Sequence, residues 1–359
     1  SPDDAPANSY ATRAKLVAEG PEREEAWDHV TPRLEQTYRR DTLLVTNTGP
    51  RGEGYTYCTK CGLIEPSHGA TGIVAGPHTK PFPDEREQEC QGSGSTKGLV
   101  LGTDFISDVL LVRLSVEKPL TLRPELLSTQ VALRTVAEAL TIAATGELDV
   151  DASELQAEYR PALTPGGNHG LEAEIYLYDT LAGGAGFTRR VHGYGESIFR
   201  KALDRLEHCP ADCDASCYRC LRSFRNRFEH SLLDRQIGAA LLRYVLDGTS
   251  PVLNEARMNQ SIDKLLADLQ SRDITGIEFL KNEPVLIPGT GSVTAPILAR
   301  GNGTDRIFYI QSPLTRDTPP TQELWDAKEL GGVPIHPIDD IVVTRNLPVA
   351  SQQVLRWLS

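Results

Sequence analysis

Four cysteines lie close together in the second half of the sequence and could bind a metal ion. Their spacing is C-x3-C-x3-C-x2-C, and they are Cys209, Cys213, Cys217 and Cys220. Thiolates this close along a chain can converge on one tetrahedral ion at about 2.3 Å per bond. Four protein ligands leave no open coordination position, so we expect a structural zinc ion. The alternatives are an iron–sulfur cluster, which also takes four cysteines, and buried cysteines without a metal.

A second metal site is predicted around Cys58 and Cys61, two cysteines separated by two residues and followed by a glycine. This pair has the form of a metal knuckle and needs two further ligands. Cys90 is the remaining cysteine, and we expect His78 to complete the set, with His68 as the alternative. A histidine that is merely hydrogen-bonded in its loop is the simpler explanation for either. We therefore expect one or two zinc ions, whose binding free energy stabilises loop-rich segments.

The segment that follows the four cysteines mixes cations with aromatic rings. Residues 218–230 read YRCLRSFRNRFEH. Guanidinium groups can contact phosphates while aromatic faces stack on bases, which is the chemistry of single-strand binding. The alternative is that the rings pack beneath the metal site and the arginines pair with carboxylates. The candidate nucleic-acid-binding residues are Arg219, Arg222, Phe224, Arg225, Arg227, Arg189 and Arg190.

A glycine-rich segment, residues 183–186, lies between a predicted strand and a predicted helix. Backbone amides at such a place commonly hold phosphates. We expect either a phosphate contact, supported by Arg189 and Arg190, or a tight turn that brings the helix close to the sheet. The sequence contains no GxxxxGK[ST] loop, and its nearest approach to an H-x-K-x4-D phosphodiesterase motif has the aspartate one residue early. We therefore expect no ATPase or nuclease activity from this chain itself.

Composition limits the function classes further. The chain has 359 residues, of which 39% are hydrophobic, so it can form two or three domains with real cores. Its formal charge of −12 excludes a protein that coats nucleic acid with its whole surface, so any contact must be a local basic patch. Seven cysteines in two clusters argue against a secreted disulfide scaffold and favour the cytosol. No segment approaches the length of a membrane-spanning helix.

The elements that must position these residues mix strands and helices without strict alternation. This pattern predicts an α+β fold: a zinc-stabilised mixed sheet with packed helices, plus a smaller C-terminal α/β subdomain. Because the chain begins at Ser1 and its one methionine is Met258, we expect a piece of a longer polypeptide. The predicted domains are a polar N-terminal segment (1–40), a zinc-binding domain (41–248) and the C-terminal subdomain (252–359).

These motifs together resemble a known family. The run LYDTLAGGAGFTRR, the four-cysteine spacing and CYRCLRSFRNRFEHSLLDR are similar to the MrfA-type zinc-binding domain, which is attached to or encoded beside superfamily-two DNA helicases. The resemblance covers roughly residues 40–247 and includes TYCTKCG, GPHTKPF and ECQG. The CYRCL form followed by NRFEH is closest to the DrmB subunits of the DISARM anti-phage system, which partner the helicase DrmA.

The resemblance implies a non-catalytic accessory subunit of a DrmA-like superfamily-two helicase in bacterial anti-phage defence. Such a subunit helps to hold DNA that is single-stranded or has a single-stranded end, and it has no membrane partner. Two alternatives remain open. One is the C-terminal zinc-binding region of a single-chain DNA repair helicase, and the other is a pure protein–protein scaffold.

Overall fold

The computed structural model describes residues 13–16, 26–49, 52–67, 76–82, 88–92, 94–162, 170–272, 274–289, 291–301, 303 and 305–358. The chain divides into two compact units. The first comprises Ser1–Glu24, Arg39–Val109 and Asp179–Gly186, and the second comprises Glu25–Tyr38, Leu110–Tyr178 and Phe187–Ser359.

The strands, in chain order, are β1 (Arg13–Leu16), β2 (Asp28–Thr31), β3 (Leu34–Asn47), β4 (Tyr55–Cys58), β5 (Ile64–Pro66), β6 (His78–Thr79), β7 (Glu89–Cys90), β8 (Ser95–Leu99), β9 (Leu101–Ser115), β10 (Leu155–Pro161), β11 (Glu172–Asp179), β12 (Ile277–Ile287), β13 (Gly291–Gly301), β14 (Arg306–Gln311) and β15 (Ile335–Asp339). The helices are α1 (Leu127–Leu148), α2 (Phe187–His192), α3 (Glu196–Glu207), α4 (Arg235–Asp247), α5 (Glu255–Ser271), α6 (Gln322–Leu330), α7 (Asp340–Arg345) and α8 (Leu347–Leu358), with a 3-10 helix at Arg227–Leu232.

In the first unit, short strands position the residues around the first cysteine pair. β4 lies between β5 and β8 in a three-stranded sheet, and β6 pairs with β7. β1 pairs with the second half of β3 and buries Ala14 and Leu16 while Lys15 is exposed. The sequence favours a short helix over residues 10–18, which is wrong for 13–16. Cross-strand pairing of alternate apolar residues outweighs the local helical preference there.

In the second unit, a sheet and three helices enclose the main core. β11 lies between β9 and β10, and β2 pairs with the start of β3. α1 is buried along most of its length because apolar residues occupy nearly every face of its middle turns. It packs against β10, α3 and α4. The loop between α3 and α4 carries the four clustered cysteines. Both ends of this loop are therefore attached to helices of the main core.

Residues from α5 onward form a four-stranded sheet with a core on each face. β12, β13 and β14 are antiparallel neighbours, and β15 is parallel to β14. One core contains Ile262 and Leu265 of α5 with Phe308, and the other contains Leu324 and Ala327 of α6. The predicted α+β class, with mixed sheets and packed helices, is confirmed, whereas the domain boundaries remain a prediction. In the part of the chain that the structure describes, no helix combines the length and the apolar character that a membrane crossing requires.

Candidate metal centres and nucleic-acid surface

The structure brings the four clustered cysteines together around one point. The Sγ atoms of Cys209, Cys213, Cys217 and Cys220 all lie within 4.8 Å of one another. The distance between Sγ atoms is 3.6 Å for Cys209 and Cys217 and 3.7 Å for Cys213 and Cys220. Four thiolates bound tetrahedrally to zinc lie about 3.8 Å apart, given bonds of about 2.3 Å. All seven cysteines of the chain are described and none is in a disulfide, so the set fits a zinc ion.

Backbone N–H groups prepare these thiols for metal binding. The N–H groups of Ala211 and Arg219 donate to the Sγ atoms of Cys209 and Cys217, each at 3.4 Å. Hydrogen bonding from the backbone N–H of Cys213 lowers the pKa of the Cys209 thiol to about 6. Thiolate is the form that binds zinc, so a lowered pKa favours coordination near neutral pH.

Two arginines that sequence reasoning missed hold the cysteine loop by its backbone. Arg205 of α3 donates to the carbonyl oxygens of Cys220 and Arg219, at 3.2 and 3.1 Å. Arg235 of α4 donates to the carbonyl oxygen of Cys213 at 2.6 Å and to the last carbonyls of α3. The loop is therefore also hydrogen-bonded to both flanking helices, in addition to any bonds that its cysteines make to an ion.

The first cysteine pair is also completed as a set of four ligands. Cys58, Cys61, His78 and Cys90 place their ligand atoms within 4.8 Å of one another. Pairing of β6 with β7 sets His78 opposite Cys90, and the Sγ of Cys90 lies 3.8 Å from that of Cys58. His68, the alternative ligand, lies outside the described residues.

Hydrogen bonding orients the His78 ring toward the sulfurs. Its Nδ1 lies 2.7 Å from the carbonyl oxygen of Gly76, and its Nε2 lies 3.1 Å from the Sγ of Cys61. An Nδ1–H that donates to a carbonyl leaves the Nε2 lone pair available for a metal. The backbone N–H of Cys61 lowers the pKa of the Cys58 thiol to about 6. Three thiolates and one imidazole are a donor set that zinc commonly takes.

The two clusters therefore fit the binding of one or two zinc ions. Zinc has no redox chemistry and, with four protein ligands, contributes rigidity rather than catalysis. The two clusters differ in their surroundings. Cys220 belongs to the main apolar core, and Cys209, Cys213 and Cys217 pack against it. Cys58 and Cys90 instead form a separate small cluster with Leu63, so an ion there would link residues that have little apolar core of their own.

The aromatic residues of the 218–230 segment are exposed. Relative exposure is 71% for Tyr218, 75% for Phe224 and 51% for Phe228. The rings therefore do not pack beneath the metal site, which was the simpler alternative. Because these large rings do not pack in the apolar core and lie near cations, the segment is a candidate binding surface.

The four arginines of the segment have different environments. Arg219 and Arg225 are exposed, and Arg225 lies 3.5 Å from a carboxylate oxygen of Asp151. Arg222 donates to the hydroxyl of Ser216 at 2.9 Å. The guanidinium carbon of Arg227 lies 4.3 and 4.5 Å from the ring centres of Phe224 and Phe228. Arg189 and Arg190, the other candidates, are exposed on α2.

The glycine-rich segment is a tight turn whose amides are already used. Gly183 and Gly184 donate to the carbonyl oxygens of Ile106 and Leu181. Ala185 and Gly186 donate to the carboxylates of Asp179 and Asp108, at 2.7 and 3.0 Å. A phosphate contact by these amides is therefore wrong, because two carboxylates occupy the positions that a phosphate needs. The turn interpretation is confirmed.

A buried side chain, Asn226, shapes the exposed segment. Its Nδ2 donates to the carbonyl oxygen of Leu221 at 2.8 Å, and its Oδ1 accepts from the backbone N–H of Ser223 at 2.8 Å. The same Oδ1 lies 2.9 Å from Nε2 of His230. Sequence reasoning missed this residue, and nothing in the residue pattern distinguishes it from a solvated asparagine.

Charged residues of α1 lie beneath the same segment. Arg134, which is 3% exposed, is paired with Glu158 and lies 3.4 Å from a carboxylate oxygen of Glu229 in the 3-10 helix. Burial raises the pKa of the neighbouring Glu138 carboxyl to about 7. The segment is therefore supported by a polar network, not only by the cysteines.

Known proteins that are similar to this chain include a zinc-binding domain family, a defence protein and a helicase of known structure. Residues 136–221, which include all four clustered cysteines, match the MrfA Zn-binding domain family. The chain is 32% identical over 339 residues to Druantia protein DruE of Escherichia coli (strain UMEA 4076-1), covering 90% of this chain and 17% of that protein. The solved structure of DUF1998 helicase MrfA bound to DNA is 14% identical, with a TM-score of 0.34, and the match covers 63% of this chain and 25% of that one. The sequence similarities relate residues 136–221 to the MrfA Zn-binding domain family and most of the chain to part of a Druantia protein.

Proposed function

We propose that this chain is a zinc-stabilised module that works with a superfamily-two helicase in bacterial anti-phage defence and helps to hold DNA. The observation that carries the proposal is the four-thiolate cluster at Cys209–Cys220, which lies within the match to the MrfA Zn-binding domain. The similarity to a Druantia protein along 90% of the chain supports the defence role.

In this proposal the chain is not itself an enzyme. Each metal cluster has four protein ligands, which leaves no open position for a substrate. The sequence contains no phosphate-binding loop of the GxxxxGK[ST] type. ATP hydrolysis is therefore assigned to a motor outside these 359 residues, in the cytoplasm with the DNA that it acts on.

The motor can be a separate subunit or part of the same polypeptide. The CYRCL and NRFEH motifs favour a DrmB-like subunit that partners a DrmA-like helicase in a DISARM system. The chain spans 17% of the length of the Druantia protein that it matches, which favours a region within a longer polypeptide. Residues encoded upstream of Ser1 distinguish the two: a GK[ST] loop and a DExH box there would identify the single-chain form.

The DNA contact is assigned to the exposed basic residues Arg219, Arg225, Arg189 and Arg190, and the preferred DNA has a single-stranded end.

The experiment uses the assembled helicase that contains this chain, and measures its affinity for a DNA with a single-stranded tail by fluorescence anisotropy. Arg219→Ala with Arg225→Ala should weaken binding roughly tenfold, because two phosphate contacts are lost. Arg300→Ala, which removes an exposed arginine of the C-terminal sheet, is the matched control.

Two results would contradict the proposal. Unchanged DNA affinity in the double arginine variant, with zinc content intact, would favour a protein–protein scaffold. ATP hydrolysis by the purified chain alone would show that the chain is an enzyme.

A further inference from the structure

Two exposed phenylalanines enclose one arginine on the surface next to the clustered cysteines. Phe224 and Phe228 are 75% and 51% exposed, and the Arg227 guanidinium carbon lies within 4.5 Å of both ring centres. A guanidinium over an aromatic face is held by the ring quadrupole, and here two rings act on one cation. Arg227 therefore contacts both rings at once.

This arrangement changes the expected role of Arg227. The Arg227 guanidinium covers one face of each ring, so a ligand can stack only on the remaining exposed faces, and the Arg227 side chain itself is half-buried. Arg219 and Arg225, by contrast, are exposed. The cations of this surface therefore divide into one that organises the rings and two that are accessible to a polyanion.

We propose that Phe224 and Phe228, held by Arg227, form a stacking surface for the unpaired bases of a DNA strand whose phosphates contact Arg219 and Arg225. The inference rests on the proposed DNA contact and names the part of the ligand that each residue recognises. Phe224 and Phe228 bind bases, and Arg227 is a positioning residue. Recognition by stacking requires unpaired bases, so the surface distinguishes single-stranded from duplex DNA.

Charge favours a nucleic acid over an apolar partner on this surface. Residues 218–230 contain four arginines and one glutamate, a net charge of 4 − 1 = +3, within a chain whose formal charge is −12. An apolar protein surface gains nothing from such a concentration of positive charge, whereas a DNA strand supplies both phosphates and ring faces.

The surface is also held in shape before any ligand binds. Asn226, between the two phenylalanines in sequence, is 7% exposed and bonds to Leu221, Ser223 and His230. The His230 ring makes an edge contact with Tyr218 at 5.5 Å between ring centres. A surface with a fixed shape loses less conformational freedom on binding, which favours rigid aromatic contacts.

The test compares two strands that differ only in their bases. The protein that contains this chain, in its assembled form, is titrated with an oligothymidylate of about twelve nucleotides and with an abasic strand of the same length. We expect the abasic strand to bind roughly tenfold more weakly or worse. Phe224→Ala with Phe228→Ala should weaken oligothymidylate binding to the same degree and leave abasic binding unchanged. Phe82→Ala, which removes a ring that is 90% exposed in the first unit, should change neither.

Salt dependence tests the role of Arg227. Arg225→Ala should reduce the slope of log K against log salt by roughly 0.7, since one phosphate contact is lost. Arg227→Met should weaken binding of oligothymidylate while leaving that slope unchanged, because it disturbs the rings and not a phosphate contact. A reduced slope in Arg227→Met would show instead that Arg227 binds phosphate.

The outcomes separate this inference from the proposed function. Equal affinity for the two strands would overturn base stacking and leave the DNA contact standing, whereas no binding of either strand would overturn both. A double phenylalanine variant that keeps its DNA affinity but no longer associates with the helicase motor would show that the two rings form a protein interface. That result would overturn base stacking. If the alanine variant loses zinc, Phe224→Leu with Phe228→Leu replaces it, because leucine keeps apolar bulk without an aromatic face. This variant should also bind oligothymidylate more weakly and leave abasic binding unchanged.

Discussion

At the scale of single residues, the metal ligands combine sequence spacing with local backbone geometry. In both clusters one thiol receives backbone N–H groups from the turn that carries it, and the pKa of Cys58 and of Cys209 falls to about 6. Burial raises the pKa of Cys213 and of Cys220, because a buried thiolate is costly without a cation. A zinc ion supplies that cation, so folding and metal binding stabilise each other.

Single ligand substitutions should therefore act on one cluster at a time. Cys217→Ser should remove one zinc ion per chain. It should lower the free energy of unfolding by several kcal/mol, because the second unit loses the binding free energy of its ion. Cys61→Ser is the matched variant in the other cluster and should remove the other ion. Elemental analysis together with urea denaturation measures both effects. Loss of both ions from either single variant would contradict two independent sites.

The buried carboxyl of Glu138 predicts a dependence of stability on pH. Its pKa is raised from 4.5 to about 7 by burial, so the folded protein binds its proton more tightly than the unfolded chain does. This contribution to stability is complete below about pH 4.5 and is lost as the pH rises through about 7. Glu138→Gln stays neutral, so its free energy of unfolding relative to the natural protein should rise by about 2 kcal/mol between pH 5 and pH 8.

Denaturant titration of both proteins at several pH values, with zinc present throughout, measures this difference. A difference that stays constant with pH would show that Glu138 is ionised normally in the folded state.

Spacing along the chain predicts which metal-ligating residue types lie close together. The C-x3-C-x3-C-x2-C pattern is sufficient to predict that Cys209–Cys220 lie together, and the expected His78 lies with Cys58, Cys61 and Cys90. Asn226, Arg205 and Arg235 could not be found in this way. Their partners are backbone carbonyl and N–H groups of distant or turn residues, which every sequence contains and no pattern distinguishes.

At the scale of elements, the loop and 3-10 helix that present the aromatic rings depend on Asn226. Asn226→Ala should leave the carbonyl of Leu221 and the N–H of Ser223 without this partner and lower the free energy of unfolding by about 2 kcal/mol. It should also increase hydrogen exchange within residues 221–230. Gln322→Ala, at an exposed amide of α6, is the control and should change neither. Unchanged exchange in Asn226→Ala would show that the cysteines alone hold the segment.

Elements were predicted best where their periodicity is local. Apolar residues at helical spacing predict a buried helix over residues 131–144, and the end of the sequence predicts a final helix over residues 349–357. The first lies within α1 and the second within α8. β13 and β15 were not predicted. β13 forms ten cross-strand pairs with β12 in a hairpin, and β15 pairs in parallel with β14, from which α6 separates it in the chain. Because strand pairing determines both elements, their own residue patterns do not predict them.

At the scale of the whole molecule, an acidic chain that contacts DNA through a few exposed arginines should bind DNA with modest salt dependence. Four exposed arginines, at positions 189, 190, 219 and 225, predict a slope of log K against log salt of about −3 for single-stranded DNA. Anisotropy titrations over a range of salt concentrations measure it. A slope of about −8 or steeper would contradict a local surface and require many more phosphate contacts.

Zinc coordination by the two clusters is the interaction that we expect to hold both cysteine loops in place. The most direct measurement is the metal content and the thermal unfolding of the same purified sample before and after treatment with a zinc chelator. We predict about two zinc ions per chain at the start, and loss of cooperative unfolding once they are removed. A metal-free protein that unfolds with the same cooperative transition as the untreated sample would contradict this expectation.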